Sequence, residues 1–161
     1  MKKYISLSFI NIVLVLLQTS FLFEFFGSAA NPNIVLAFSF SLLFLGRKEE
    51  ALFSAFVGGL LLDLSGFTIP GLSPLIFLSS IYLGIFIRKY IFKNWSLQFV
   101  TVMLSTFLYK QFVGFSQNLF TIEAVTGLLL TAFAVFIFYL LNSSLFRNEF
   151  DKGRFLEIIE V

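Results

Sequence analysis

Cysteine and histidine are both missing from this sequence. Their absence removes disulfides, thiolate and imidazole metal sites, cysteine nucleophiles and the commonest general base. Charge is scarce as well, at 12% of residues, about half the content of an ordinary soluble domain. The few cations sit in small clusters between apolar runs and sum to a net charge of +2. A nucleic-acid binder would line them along one face, so nucleic acid is not an expected partner. No paired carboxylates, Ser-His arrangement or HExxH motif occurs, and Gly58-Gly59 falls inside an apolar helix where no phosphate would be cradled. The expected protein is therefore not an enzyme, and no catalytic, cofactor-binding or metal-ligating residue is assigned.

What the chain does have is apolar bulk: 58% hydrophobic residues and 25 phenylalanines in 161 residues. A globule of one domain's size leaves much of its surface exposed and cannot bury them all, so lipid has to cover many. Met1-Lys2-Lys3, the apolar run after it and Ser28-Ala29-Ala30 imitate a signal peptide. The run from Tyr4 to Phe26 is longer than the roughly 7 to 15 apolar residues of such a peptide, which makes it an expected retained anchor.

Runs near the 20 residues a bilayer requires extend from Tyr4 to Phe26, Ser73 to about Phe92, Ser96 to Leu119 and Ile122 to Phe146. Two shorter runs, Ile34 to Leu45 and Ala51 to Leu64, flank Gly46-Arg47-Lys48-Glu49-Glu50. The first covers roughly 20 Å of a core roughly 30 Å thick. A re-entrant hairpin would strand the four charges near the midplane, at about 3 kcal/mol for each cation. Two crossings with snorkelling ends cost less. The expected fold is thus an all-α integral membrane protein, a bundle of about six transmembrane helices spanning residues 1–147, followed by a short cytoplasmic tail at 148–161. Phe155, Leu156, Ile158 and Ile159 make that tail a surface-lying amphipathic end.

Six crossings place Lys2, Lys3, Arg47, Lys48, Arg88, Lys89, Lys93, Arg147, Lys152 and Arg154 on one side, ten of the eleven basic residues. The loops of the other side, near Glu24 to Asn33, Ser65 to Gly71 and Asn118 to Thr121, have none. Cations gather on the cytoplasmic side, so both termini are expected there, in the inner (cytoplasmic) membrane of a bacterial cell.

Within the apolar segments a few residues stand out. Ala51, Ala55 and Gly59 recur four apart, and Gly58 widens their surface, giving a face on which another helix can approach closely. Asp63 and Lys110 are the charges set clearly inside apolar segments. Each lies about 20 Å along its helix from the cytoplasmic end, so a mutual ion pair is geometrically open, with separate snorkelling to the outer headgroups as the alternative. Asn11 with Gln18, and Thr101 with Ser105, share helix faces and suit interhelical hydrogen bonds. A proton or ion pathway usually needs several intramembrane acids, and here there is one.

The stretch Ala55-Phe56-Val57-Gly58-Gly59-Leu60-Leu61-Leu62-Asp63-Leu64 resembles the GFxxGLxxDL signature of the rod shape-determining protein MreD family. Leu17-Gln18-Thr19-Ser20, Pro32-Asn33, Gly46-Arg47 and Pro70-Gly71-Leu72 follow in the family's order. The resemblance is specific from Gln18 to Leu75 and beyond that rests on hydropathy; Ala55 replaces the family's first glycine. Its motif positions are Gln18, Pro32, Asn33, Asp63 and Gly71. The resemblance implies a non-enzymatic subunit of the cell-elongation complex that binds an MreC-like scaffold protein, and through it MreB, RodA and the elongation transpeptidase, helping to organise peptidoglycan synthesis. The six-helix pattern is also similar to the substrate-binding subunits of energy-coupling-factor vitamin transporters, which is the alternative. A vitamin binder needs converging polar groups in its outer half, and these are sparse; Trp95, in the expected cytoplasmic loop, suits an interfacial anchor better.

Overall fold

The computed structural model describes residues 2–65, 69–90, 95–113 and 122–145, and among these every regular element is helical. Helix α1 (Lys2–Leu16) runs through a π-helical turn (Leu17–Leu22) into α2 (Phe23–Ala30). Then follow α3 (Ile34–Phe44), α4 (Lys48–Ser65), α5 (Leu72–Tyr90), α6 (Trp95–Val113) and α7 (Ile122–Leu145). The expected tail at 148–161, the turn from Asn118 to Thr121, and Lys93, Arg147, Lys152 and Arg154 lie outside the described residues.

Two helical stretches, Lys3–Gly27 and Val125–Ser144, are long and apolar enough to cross a membrane by length and composition. The first is not one uniform helix. Thr19 Oγ1 donates to the Val15 carbonyl at 2.9 Å, and such back-bonding loosens a helix. The wide turn that follows has its Gln18 carbonyl accept from Asn31 Nδ2 at 3.2 Å. Gly27, at φ 67° and ψ −178°, occupies a region essentially closed to side-chain-bearing residues. It turns the chain toward Asn31, so the connection to α3 is shorter than the loop from Glu24 to Asn33 expected from composition.

Helix α3 is the axis of the molecule. Its residues from Ile34 to Leu43 are all buried, as expected of a helix apolar on every side. Around it the remaining helices form a closed ring: α1 packs on α4, α4 on α5, α5 on α6, α6 on α7 and α7 on α2, while the π turn rejoins α2 to α1. At about 1.5 Å per residue α3 is only some 16 Å long, and it is covered by the other helices rather than by solvent.

The ring is apolar outside. Ile5, Phe9, Leu75, Val100, Leu129 and Phe133 are examples of large side chains that are well exposed, whereas Asn11, Gln18, Asn33, Ser39, Ser54 and Asn142 are buried. Hydrogen bonds fasten the axis to its ring. Ser39 Oγ donates to Ser54 Oγ on α4 at 3.2 Å, and Ser54 Oγ donates to Asn11 Oδ1 on α1 at 3.1 Å. On the α7 side, Asn142 Nδ2 donates to Ser41 Oγ at 2.9 Å.

Candidate functional site

The residues singled out by the sequence fall mostly at one end of the bundle, where α3 and α5 begin and α4 finishes. A helix start leaves its first backbone N–H groups without intrahelical acceptors, and inside a bundle each needs another. At α3 the accounting is complete. Asn33 N donates to Thr131 Oγ1 of α7 at 3.0 Å, Ile34 N to the Pro32 carbonyl at 3.1 Å, Val35 N to Gln18 Oε1 at 3.3 Å and Leu36 N to Asn33 Oδ1 at 3.0 Å. Asn33 is thus the cap of α3, and Gln18 reaches across from the π turn to supply a second acceptor.

At α5 the same problem has a different answer. Gly71 holds φ at 92°, where a side chain would be strained, so the residue preceding the helix cannot cap it. Asp63 does so from α4: its carboxylate accepts from Gly71 N at 2.7 Å and from Ser73 N at 3.3 Å. Leu72 N donates to the Ile69 carbonyl at 3.1 Å, and Pro74 has no N–H to satisfy. A carboxylate at a helix N-terminus also faces the positive end of the helix dipole. Asp63 is buried, and these N–H groups are what make an acid tolerable there.

One turn earlier on α4, Gly59 makes the corner possible. A Cβ there would fall 2.6 Å from both Pro74 Cα and Pro74 N, so the backbone of α5 lies directly on the glycine. Gly58 faces the other way, where a Cβ would meet Asn11 Oδ1 at 2.8 Å and Val35 Cγ1 closer still. Ala51 and Ala55 are fully buried on the same helix. Three residues therefore act together at this corner: Gly59 lets α5 approach, Gly71 turns the chain and Asp63 ties off the new helix.

Lys110 lies on α6 beside Tyr109, whose ring packs at 5.0 Å from Phe77 and which lies beside Ser73 and Asp63. The lysine itself is directed at α7. A methyl group on Gly127 would collide with Lys110 Nζ and come within 3.0 Å of the Ala30 carbonyl oxygen. Asp63 thus accepts from backbone N–H groups at the start of α5, and the Lys110 ammonium lies against Gly127 of α7. Thr101 and Ser105, expected to bond across helices, are both buried on α6. Ser105 Oγ finds no hydrogen-bond partner among the described residues.

At the opposite end a residue that the sequence reading passed over becomes prominent. Glu50 is buried, with its carboxylate held between Lys3 of α1 and Arg47 of the α3–α4 turn. The signal was the acid pair Glu49-Glu50 in the first turn of α4, where acids are favoured; nothing in the sequence linked it to Lys3. Among the described residues, no three His, Cys, Asp or Glu side chains come together as a metal site would require. What the arrangement can do chemically is hold helices in register. Compared with known proteins, the chain matches no family model, no curated protein and no solved structure.

Proposed function

We propose that this chain is a non-catalytic, multi-pass subunit of the bacterial inner membrane that serves the cell-elongation machinery by binding an MreC-like scaffold protein. The observation that carries the membrane part is the inverted polarity of the bundle: its exterior is apolar while its asparagines and serines turn inward onto α3. In water that surface would far exceed the apolar patches soluble monomers tolerate. In lipid it is the ordinary arrangement, because hydrogen bonds between helices then replace the hydrophobic drive.

The morphogenetic part rests on the resemblance of the residues from Gln18 to Leu75 to the MreD signature. The shared involvement of Gln18, Asn33, Asp63 and Gly71 in helix starts at one end of the bundle supports it. A signature built from caps and a close helix approach marks a rigid platform, suited to presenting a surface to another membrane protein. Affinity purification of the full chain in mild detergent tests this. Recovery of a single-pass coiled-coil scaffold protein is expected; recovery of a pair of ATPases instead would replace the reading with a vitamin-transport subunit.

A further inference from the structure

The end opposite Asp63 brings Lys3 together with Arg47 and Lys48, which are far from it in sequence. Lys3 and Arg47 both close on the buried Glu50 carboxylate, and the Tyr4 hydroxyl donates to Glu49 Oε2 at 3.5 Å while its ring meets Phe53 edge-on at 4.9 Å. These contacts set Lys3 beside Arg47-Lys48, so that three described cations face the two carboxylates of Glu49 and Glu50, a local surplus of one positive charge. Glu50 is spent inside the cluster, whereas Lys48 is exposed and the Lys3 side chain retains 51% of its exposure.

Directly beyond Lys3, the exposed face of α1 becomes a continuous apolar stripe. Ile5, Phe9, Ile12 and Leu16 are 69%, 67%, 42% and 57% exposed, and their spacing of four, three and four stacks them on one side of the helix. Cations at the mouth of an apolar stripe are the complement of an amphiphile with an anionic head. An acidic protein segment would match the charges but leave the stripe unused.

We propose that the seam between the start of α1 and the α3–α4 turn is a binding site for an anionic phospholipid, best matched by one carrying two phosphates. The phosphates sit against Lys3, Lys48 and their neighbours, and an acyl chain lies along Ile5, Phe9 and Ile12. The site rests on the membrane reading given above.

The test uses the full-length chain in phosphatidylcholine nanodiscs doped with cardiolipin or phosphatidylglycerol at equal phosphate, with co-released lipid counted by native mass spectrometry. Cardiolipin is expected to be retained in preference to phosphatidylglycerol, and both in preference to phosphatidylcholine. Lys48→Gln, an exposed change that leaves the Glu50 ion pairs intact, is expected to weaken retention about fivefold. Equal retention of all three lipids, or retention unaffected by Lys48→Gln, overturns the site. Binding of a poly-glutamate peptide that Lys48→Gln weakens, without any lipid preference, reassigns the patch to an acidic protein. A chain that stays in solution without detergent or lipid overturns the membrane reading itself, and the site with it.

Discussion

Single residues here act mostly through backbone N–H groups. Asp63→Ala removes the acceptor for Gly71 and Ser73 and is expected to lower stability by about 1–2 kcal/mol, read as a drop in melting temperature of the purified protein in detergent. Asp63→Asn keeps one acceptor oxygen and is expected to fall between the two. The ion pair with Lys110, which the sequence leaves open beside separate snorkelling, makes a separate prediction, that reversing both charges restores what either reversal loses. The cap forbids such rescue, since a lysine at position 63 cannot accept from an N–H, and we expect none. At the other end, Glu50→Ala leaves Arg47 and Lys3 without their shared carboxylate and is expected to cost roughly 3 kcal/mol. Lys3→Ala is expected to cost well under half of that, because Lys3 is half exposed to screening. The sequence identified Asp63 as exceptional from its position in an apolar run. It did not identify the role, because the groups that need the carboxylate are backbone amides, which every residue has.

At the scale of elements, the α4–α5 corner depends on a contact with no side chain on one side. Gly59→Ala must push α5 outward, since the obstacle is the Pro74 backbone rather than a side-chain tip. We expect a loss of about 1–3 kcal/mol, against a change within about 0.5 kcal/mol for the neighbouring Leu60→Ala, which is exposed. Asn142→Leu severs the link from α7 to the axis and is expected to cost about 1 kcal/mol; both are measured by the same melts. Helix positions were legible from the apolar runs, and α3 begins at the residue that hydropathy indicates. The π turn and the break at Gly27 were not, because the run from Tyr4 to Phe26 stays apolar through both and periodicity has nothing to mark. Partners such as Ser41 and Asn142, or Asn33 and Thr131, are about a hundred residues apart. Each reads alone as a lone polar residue, with no local pattern to pair it.

For the whole molecule, the charge distribution and the ring architecture make one joint prediction about sidedness. The cation cluster of Lys3, Arg47 and Lys48 lies at one end, and Ile69, 71% exposed, follows α4 at the other. Because the chain has no cysteine of its own, Lys48→Cys and Ile69→Cys each give a single label site. In intact cells a membrane-impermeant maleimide is expected to modify the cysteine at 69 and spare the one at 48; the reverse pattern would invert the topology. Composition was enough to anticipate an all-helical bundle. It did not indicate that one short helix would be enclosed by all the others, since hydropathy measures how greasy a segment is and not what covers it.

That enclosure bears on how the protein is made. A ribosome delivers α3 before α4, α5, α6 and α7, the later helices that pack on it, so for a time Ser39 and Ser41 lack Ser54 and Asn142 and keep only the Val35 and Phe38 carbonyls of their own helix as partners. Helix α7, the last of the described helices to emerge, brings Thr131 and Asn142, which bond Asn33 N at the start of α3 and Ser41 Oγ within it. A polypeptide stopped before residue 122 would leave the α7 flank of α3 uncovered, and cells should clear it rapidly even though most of its helices are already made.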